Sequence, residues 1–244
     1  MTNNFQRFAM LVGENKIDLL NKKKVLIFGL GGVGGSLAEA LARAGIGHFT
    51  LVDKDTFDET NINRQLFATY DTVGMDKVDV AKKRMLSINP NADIEIKKMF
   101  FLPENSDEFD FSEYDYVVDA IDNVTAKIAI IIKAKEEGAN VISCMGMGNK
   151  FDPTQIQIAD IYKTSVCKLA KVMRKELKAR GIKKLKVAFS TEIPVKPLFC
   201  ADGSDERIPG SSPFVPPCAG IIMAGEIVKD LLWSTIHINV IILE

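Results

Sequence analysis

A run of glycines near the start of the chain, Gly29-Leu30-Gly31-Gly32-Val33-Gly34, limits what this sequence can fold into more than any other feature. It follows an apolar stretch, residues 24–30, that reads as a buried parallel strand, and precedes strong helix formers over 36–44, which Gly45 and Gly47 bring to an end. In the spacing Gly29-x-Gly31-x-x-Gly34 the first glycine permits a tight turn. The second lets the backbone approach a phosphate, and the third allows close helix packing. A second strand, 48–52, runs into Asp53, where a carboxylate can accept hydrogen bonds from ribose hydroxyls. The unit is a nucleotide-binding fingerprint, and it serves dinucleotides and ATP alike.

The alternation of strand and helix continues. Val78, Ala81, Met85 and Ile88 recur at helical spacing before Asn89-Pro90, and Ile94 and Ile96 alternate with charged neighbours as in a third strand. A fourth strand is expected over 116–121, a helix over 125–137 and a fifth strand over 141–145. Residues 24–145 therefore predict an α/β, Rossmann-like, doubly wound and mainly parallel sheet. In 146–244 the pattern changes. Residues 155–161 alternate like an antiparallel strand, with 186–190 as partner beyond a basic helix at 165–180. Six prolines crowd 191–217 and predict a mobile loop, and 218–233 reads as a final core helix. With 244 residues, 47% hydrophobic and 26% charged, 1–244 is expected to form one domain.

The net charge of −1 leaves any attraction to nucleic acid to a local patch. The four cysteines never form Cys-x-x-Cys, so neither a zinc ribbon nor a secreted disulfide framework is indicated, and a reducing cytoplasmic setting fits. The first eighteen residues lack the apolar core of a signal peptide, and Glu226, Lys229 and Asp230 interrupt the apolar end of the chain. Residues 236–243 are too few to span a bilayer, although the apolar tail leaves peripheral membrane contact open.

The residues after Asp53 separate the nucleotides. Asp55, Asp58, Asn61, Asn63, Arg64 and Gln65 crowd a stretch just beyond a strand's C-terminal edge, where α/β sheets bind ligands. Arg64 and Lys77 could offset the charge of a triphosphate, and Asp122, after the fourth strand, could hold Mg²⁺ on it. Singly, each has a plainer alternative. Arg64 could sit in a surface ion pair, Lys77 in the first turn of an exposed helix, and Asp122 could cap the next helix.

These residues resemble the E1-like adenylating enzymes, which include ubiquitin-activating E1 proteins and the molybdopterin-synthase and thiamine-biosynthesis adenylyltransferases. The resemblance rests on the glycine loop continued by Gly35-Ser36, Asp53-x-Asp55, Asn61-Ile-Asn63-Arg64-Gln65, Gly74-x-x-Lys77 and Asp122-Asn123. Through residues 143–154 (SCMGMGNKFDPT), Asp160-Ile161-x-Lys163-Thr164 and Phe189-Ser190-Thr191-Glu192 it looks most like the tRNA threonylcarbamoyladenosine dehydratases.

That resemblance implies ATP and Mg²⁺ as cofactors and, as partner, a tRNA carrying N6-threonylcarbamoyladenosine at position 37. The carboxylate of that side chain would be adenylated and the side chain closed to a ring. It further implies ATP contacts from Gly29, Gly31, Gly32, Gly34, Asp53, Asp55, Asn61, Arg64, Gln65 and Lys77, with Asp122 on the metal. A homodimer is implied too, in which Arg7 of one subunit reaches the partner's ATP site; a disordered basic terminus is the plainer reading of Arg7. The missing Cys-x-x-Cys pairs, and with them structural zinc, disfavour the sulfur-carrier branches. Cys200 lies where some relatives carry a catalytic cysteine, which keeps a small carrier-protein partner open as the alternative. Ten basic residues against Glu176 between Lys163 and Lys186 give the basic helix an outer face, with Lys168, Lys171, Arg174, Lys175, Lys178 and Arg180 as the residues expected to contact tRNA phosphates.

Overall fold

A computed structural model describes residues 4–199 and 209–233. Two short helices, α1 (Gln6–Val12) and α2 (Glu14–Leu20), precede the first strand. Then follow β1 (Lys24–Phe28), α3 (Gly32–Arg43), β2 (His48–Val52), α4 (Lys77–Ile88), β3 (Asp93–Lys97), β4 (Tyr116–Asp119), α5 (Val124–Glu136) and β5 (Val141–Cys144). The last part adds β6 (Ile156–Asp160), α6 (Lys168–Ala179), β7 (Lys186–Ser190) and α7 (Val215–Trp233). The strands form one sheet in the order β3-β2-β1-β4-β5-β7-β6, parallel except for β6 against β7. This is the doubly wound sheet with an antiparallel extension that the alternation predicted.

The strands are short apolar runs because both faces are covered. On one face α3, α4 and α7 bury Leu37, Leu41, Val78, Met85, Met223 and Ile227 against Val25, Ile27 and Leu51. On the other, α5 and α6 bury Ile130, Ile131, Met173 and Leu177 against Leu26, Val117 and Val187. Phe28 stands in the second layer amid Phe101, Phe109 and Phe111, with ring centroids 4.7–5.7 Å away.

Several boundaries differ from expectation. The first strand stops at Phe28 rather than residue 30, since Gly29 takes φ +90° and turns the chain out of the sheet. Helix α3 starts at Gly32, four residues early, so Gly32, Gly34 and Gly35 belong to its first turn instead of the loop. The basic helix runs 168–179, not 165–180: Cys167 is its N-cap, and Val166 before it has a left-handed φ of +60° and is exposed. The last helix begins at Val215, with Pro216 and Pro217 in its first turn, where a missing N–H costs nothing. The loop expected over 191–217 therefore ends earlier. Its residues 200–208, including Cys200, lie outside the described residues, as does the tail 234–244. No helix among the described residues is long and apolar enough to cross a membrane.

Candidate adenylation site

Strand register gathers the site. Phe28 pairs with Val52 on one side and Asp119 on the other, so Gly29, Asp53 and Ala120 leave the sheet at one edge, where the connections diverge to opposite faces. A cavity of about 470 Å³ opens there. Gly29, Gly31, Gly32, Asp53, Asp55, Arg64, Gln65, Lys77 and Asp122 all line it.

The Asp53 carboxylate ties the glycine loop to the next strand, one oxygen accepting from Leu30 N at 2.7 Å and the other from Asp55 N at 2.9 Å. Gly31 caps α3 without any side-chain hydrogen bond, which leaves first-turn N–H groups free for an anion at the positive end of the helix. Gly34 is not on the cavity wall: a Cβ there would lie 1.8 Å from the Gly29 carbonyl oxygen, so it serves the close approach of loop and helix.

Lys77 does begin a helix, as its plainer reading has it, but is not exposed, and Arg64 does not match its own. Lys77 is buried, 6% exposed, and points its amine at Asp55 Oδ2, 3.2 Å away. Arg64 sits in no ion pair among the described residues. It donates from Nη1 to the Thr60 carbonyl and to Asn63 Oδ1, each at 2.9 Å. Asp122 is exposed and does not cap α5, because Asn123 does, accepting from Ala126 N at 3.0 Å. Asn61 is not on the wall either. Its side chain accepts from Asp58 N at 3.3 Å, completing a capping box that shapes the turn before Arg64.

The residues fit a nucleotide triphosphate on one further observation. Gln65, a residue of the cavity wall, is buried, and its Oε1 has no hydrogen-bond partner. An orphaned buried acceptor costs about 1–3 kcal/mol, a cost that a donor arriving with a ligand would remove. Among the described residues the cavity also holds walls the sequence reading did not assign: Phe28, Val52 and Met99 to Phe101, with Lys54 Nζ 4.7 Å from the Phe100 ring centre, and Cys144 to Gly148 opposite. Phe100 and Phe101 carry no periodic signal and were invisible for that reason. Burial pushes the Cys144 thiol up to about 12, so it supplies no thiolate near neutral pH.

Arg7 is exposed on α1, away from this cavity. Asn4 beside it reaches the Ile88 carbonyl at the far end of α4, whose first residue, Lys77, lines the cavity. Twelve helical residues separate the two ends, about 18 Å. On α6, Lys168, Lys171, Lys175 and Lys178 are exposed at the spacing of one helix face. Arg174 is instead tied to Thr164, and Arg180 to Glu176 at 2.7 Å. Leu169, in the first turn of α6, lines the cavity, so the basic face begins at its mouth.

Residues 5–237 match the model of the ThiF family. A tRNA threonylcarbamoyladenosine dehydratase of Bacillus subtilis (strain 168) is 42% identical over 243 residues, which cover 95% of this chain and 96% of the relative. The solved structures of the E. coli tRNA N6-threonylcarbamoyladenosine dehydratase TcdA are similar as well. Its AMP complex superposes with a TM-score of 0.87 at 35% identity, and its ATP complex with 0.86 at 33%, each covering 95% of this chain and 94% of the other.

Proposed function

This chain belongs to the ThiF family, and we propose that it is an ATP-dependent tRNA threonylcarbamoyladenosine dehydratase. The observation that carries the reading is the convergence of Asp53, Arg64, Lys77, Asp122 and the uncapped start of α3 on one cavity.

In this reading the threonyl carboxylate, already ionised at neutral pH, attacks the α-phosphorus of ATP and pyrophosphate leaves. A neighbouring nitrogen or oxygen of the same modified base then attacks the activated carbonyl and expels AMP, and the nucleoside has lost one water. Catalysis of this kind is positioning plus charge neutralisation. Asp53 orients the ribose while keeping the loop in place. The N–H groups of α3, Arg64 and Lys77 offset phosphate charge, with Lys77 passing from Asp55 to the nucleotide. Gln65 supplies its unpaired oxygen to a donor of the nucleotide. Asp122 would hold Mg²⁺, which neutralises charge on the leaving pyrophosphate. The lysines of α6 meet the tRNA backbone beside the same opening.

Arg7 is too far from its own cavity to contribute there, so in this reading it acts across a homodimer. The alternative, activation of a small carrier protein's C-terminus, has no cysteine among the described residues placed to take over the product: Cys144 and Cys167 are buried, and Cys218 in α7 does not line the cavity.

Pyrophosphate release in the presence of ATP and Mg²⁺ tests the reading. It should require tRNA bearing the modified adenosine, weaken steeply with salt, and fall about a hundredfold in Arg64→Ala and Lys77→Ala. Release provoked by a carrier protein and not by the tRNA would overturn it.

A further inference from the structure

Two exposed aromatic rings stand on segments whose neighbouring residues line the cavity, without a task in its wall. Phe151 is 66% exposed and Phe214 is 46% exposed. Their ring centres are 5.4 Å apart with planes at 81°, an edge-to-face contact that leaves ring surface open to solvent.

Their backbones are fixed although their rings are not buried. The Glu192 carboxylate accepts from Phe151 N at 2.9 and 3.0 Å and from Asp152 N at 3.0 Å. Phe214 is on the segment 209–214. Gly210 donates to Asn149 Oδ1 and accepts from Asn149 N, both at 2.7 Å, and Ser211 O accepts from Asn63 at 2.9 Å. Asn149 adopts a φ of +59° to make this double contact, a conformation uncommon outside glycine. Gly148, Gly210 and Ser211 line the cavity, so each ring is carried by a strand of chain that forms its wall.

We infer that Phe151 and Phe214 form a stacking platform for an unpaired base of the RNA next to the adenosine being modified. The inference rests on the tRNA reading above. Bringing a base's side chain into a cleft at a sheet edge requires that base to leave its neighbours, and proteins that read single-stranded loops receive the released bases on exposed aromatic faces. Stacking needs no hydrogen bonds from the base, which matches the apolar character of the pair. The phosphate side of the same contact is present too: Leu169 lines the cavity and Lys168 precedes it, so basic and aromatic residues both flank the wall of one cavity. A second copy of the chain is the competing occupant, since Ile193 and Val195 are also exposed and Val195 donates to the Asn149 carbonyl.

The test uses the full chain, unaltered and as Phe151→Ala, Phe214→Ala and Phe151→Trp, with the modified tRNA. Loss of one stacked base should raise KM for tRNA about tenfold in each alanine variant, with kcat and KM for ATP within about twofold of the unaltered protein. Phe151→Trp should restore KM, because it keeps a ring face. The molar mass in light scattering should be the same for all four proteins. An unchanged KM for tRNA, a parallel rise in KM for ATP, or a smaller assembly in the alanine variants would each overturn the platform. If the unaltered protein does not dehydrate the tRNA at all, the tRNA reading falls and the platform with it, an outcome separate from the other three.

Discussion

Lys127 carries a large consequence of a single substitution, though it does not itself line the cavity. It is fully buried in α5, with Nζ 2.9 and 3.1 Å from the two oxygens of Asp119 and 2.9 Å from the Ile121 carbonyl. Ser143 donates to the same carboxylate at 2.5 Å. The group thus fixes the turn that presents Asp122 after β4. Removing one partner of a buried pair strands the other, so Lys127→Met should cost about 3–5 kcal/mol in urea unfolding. The double change with Asp119→Asn should recover part of that loss; a double variant that loses the sum of both single effects would contradict the pairing. Lys127 could not be singled out in the sequence, because a lysine at that position of a helix reads as solvent-exposed until the strand beneath it is known. Asp53, Arg64, Gln65 and Lys77 were legible, because their spacing beyond a strand end is itself the signal. Gln65's unpaired oxygen was not, since pairing is a property of the assembled cavity.

Between elements, α3 and α4 are joined by Glu39, which accepts from Arg43 Nη2 at 2.7 Å within α3 and from Arg84 Nε at 2.8 Å on α4. Burial on its own would push the Glu39 carboxyl up. Hydrogen bonds from Arg84 and then Arg43 outweigh that and hold it below the usual 4.5. The folded carboxyl therefore binds its proton more weakly than the unfolded one. Its stabilisation is present in full above about pH 4.5 and is lost as pH falls through and below that value. Glu39→Gln should cost about 1–2 kcal/mol near neutral pH, discounted because both arginines are half exposed, and the gap from the unaltered protein should close on acidification. A gap independent of pH would contradict this. Element order was legible to a greater degree than element ends. The apolar period marked every strand, but α3 began early because a glycine-rich turn has no propensity signature distinct from a loop. The helices α1 and α2 were not read at all, since seven residues each give too little period. The segment carrying Phe101, Phe109 and Phe111 escaped for another reason: it buries its rings around Phe28 from within and beside two short 3₁₀ turns, which have no repeating pattern.

The whole molecule places its N-terminal helix at one end of the sheet and its cavity at the other, which is why we propose that Arg7 serves a neighbour's site in a dimer. Arg7→Ala and Lys77→Ala proteins should each lose activity as pure dimers. Dissociated and reassembled together, they should regain about a quarter of the unaltered rate, because half the dimers are mixed and each mixed dimer has one intact site. No recovery would show that Arg7 does not act across the dimer. What is delivered to the cavity is read from the mass of the nucleoside. Incubated with ATP, Mg²⁺ and tRNA bearing threonylcarbamoyladenosine, the protein should convert that nucleoside to one lighter by a single water, with AMP and pyrophosphate formed in equal amount. An unchanged nucleoside mass while ATP is cleaved would contradict it.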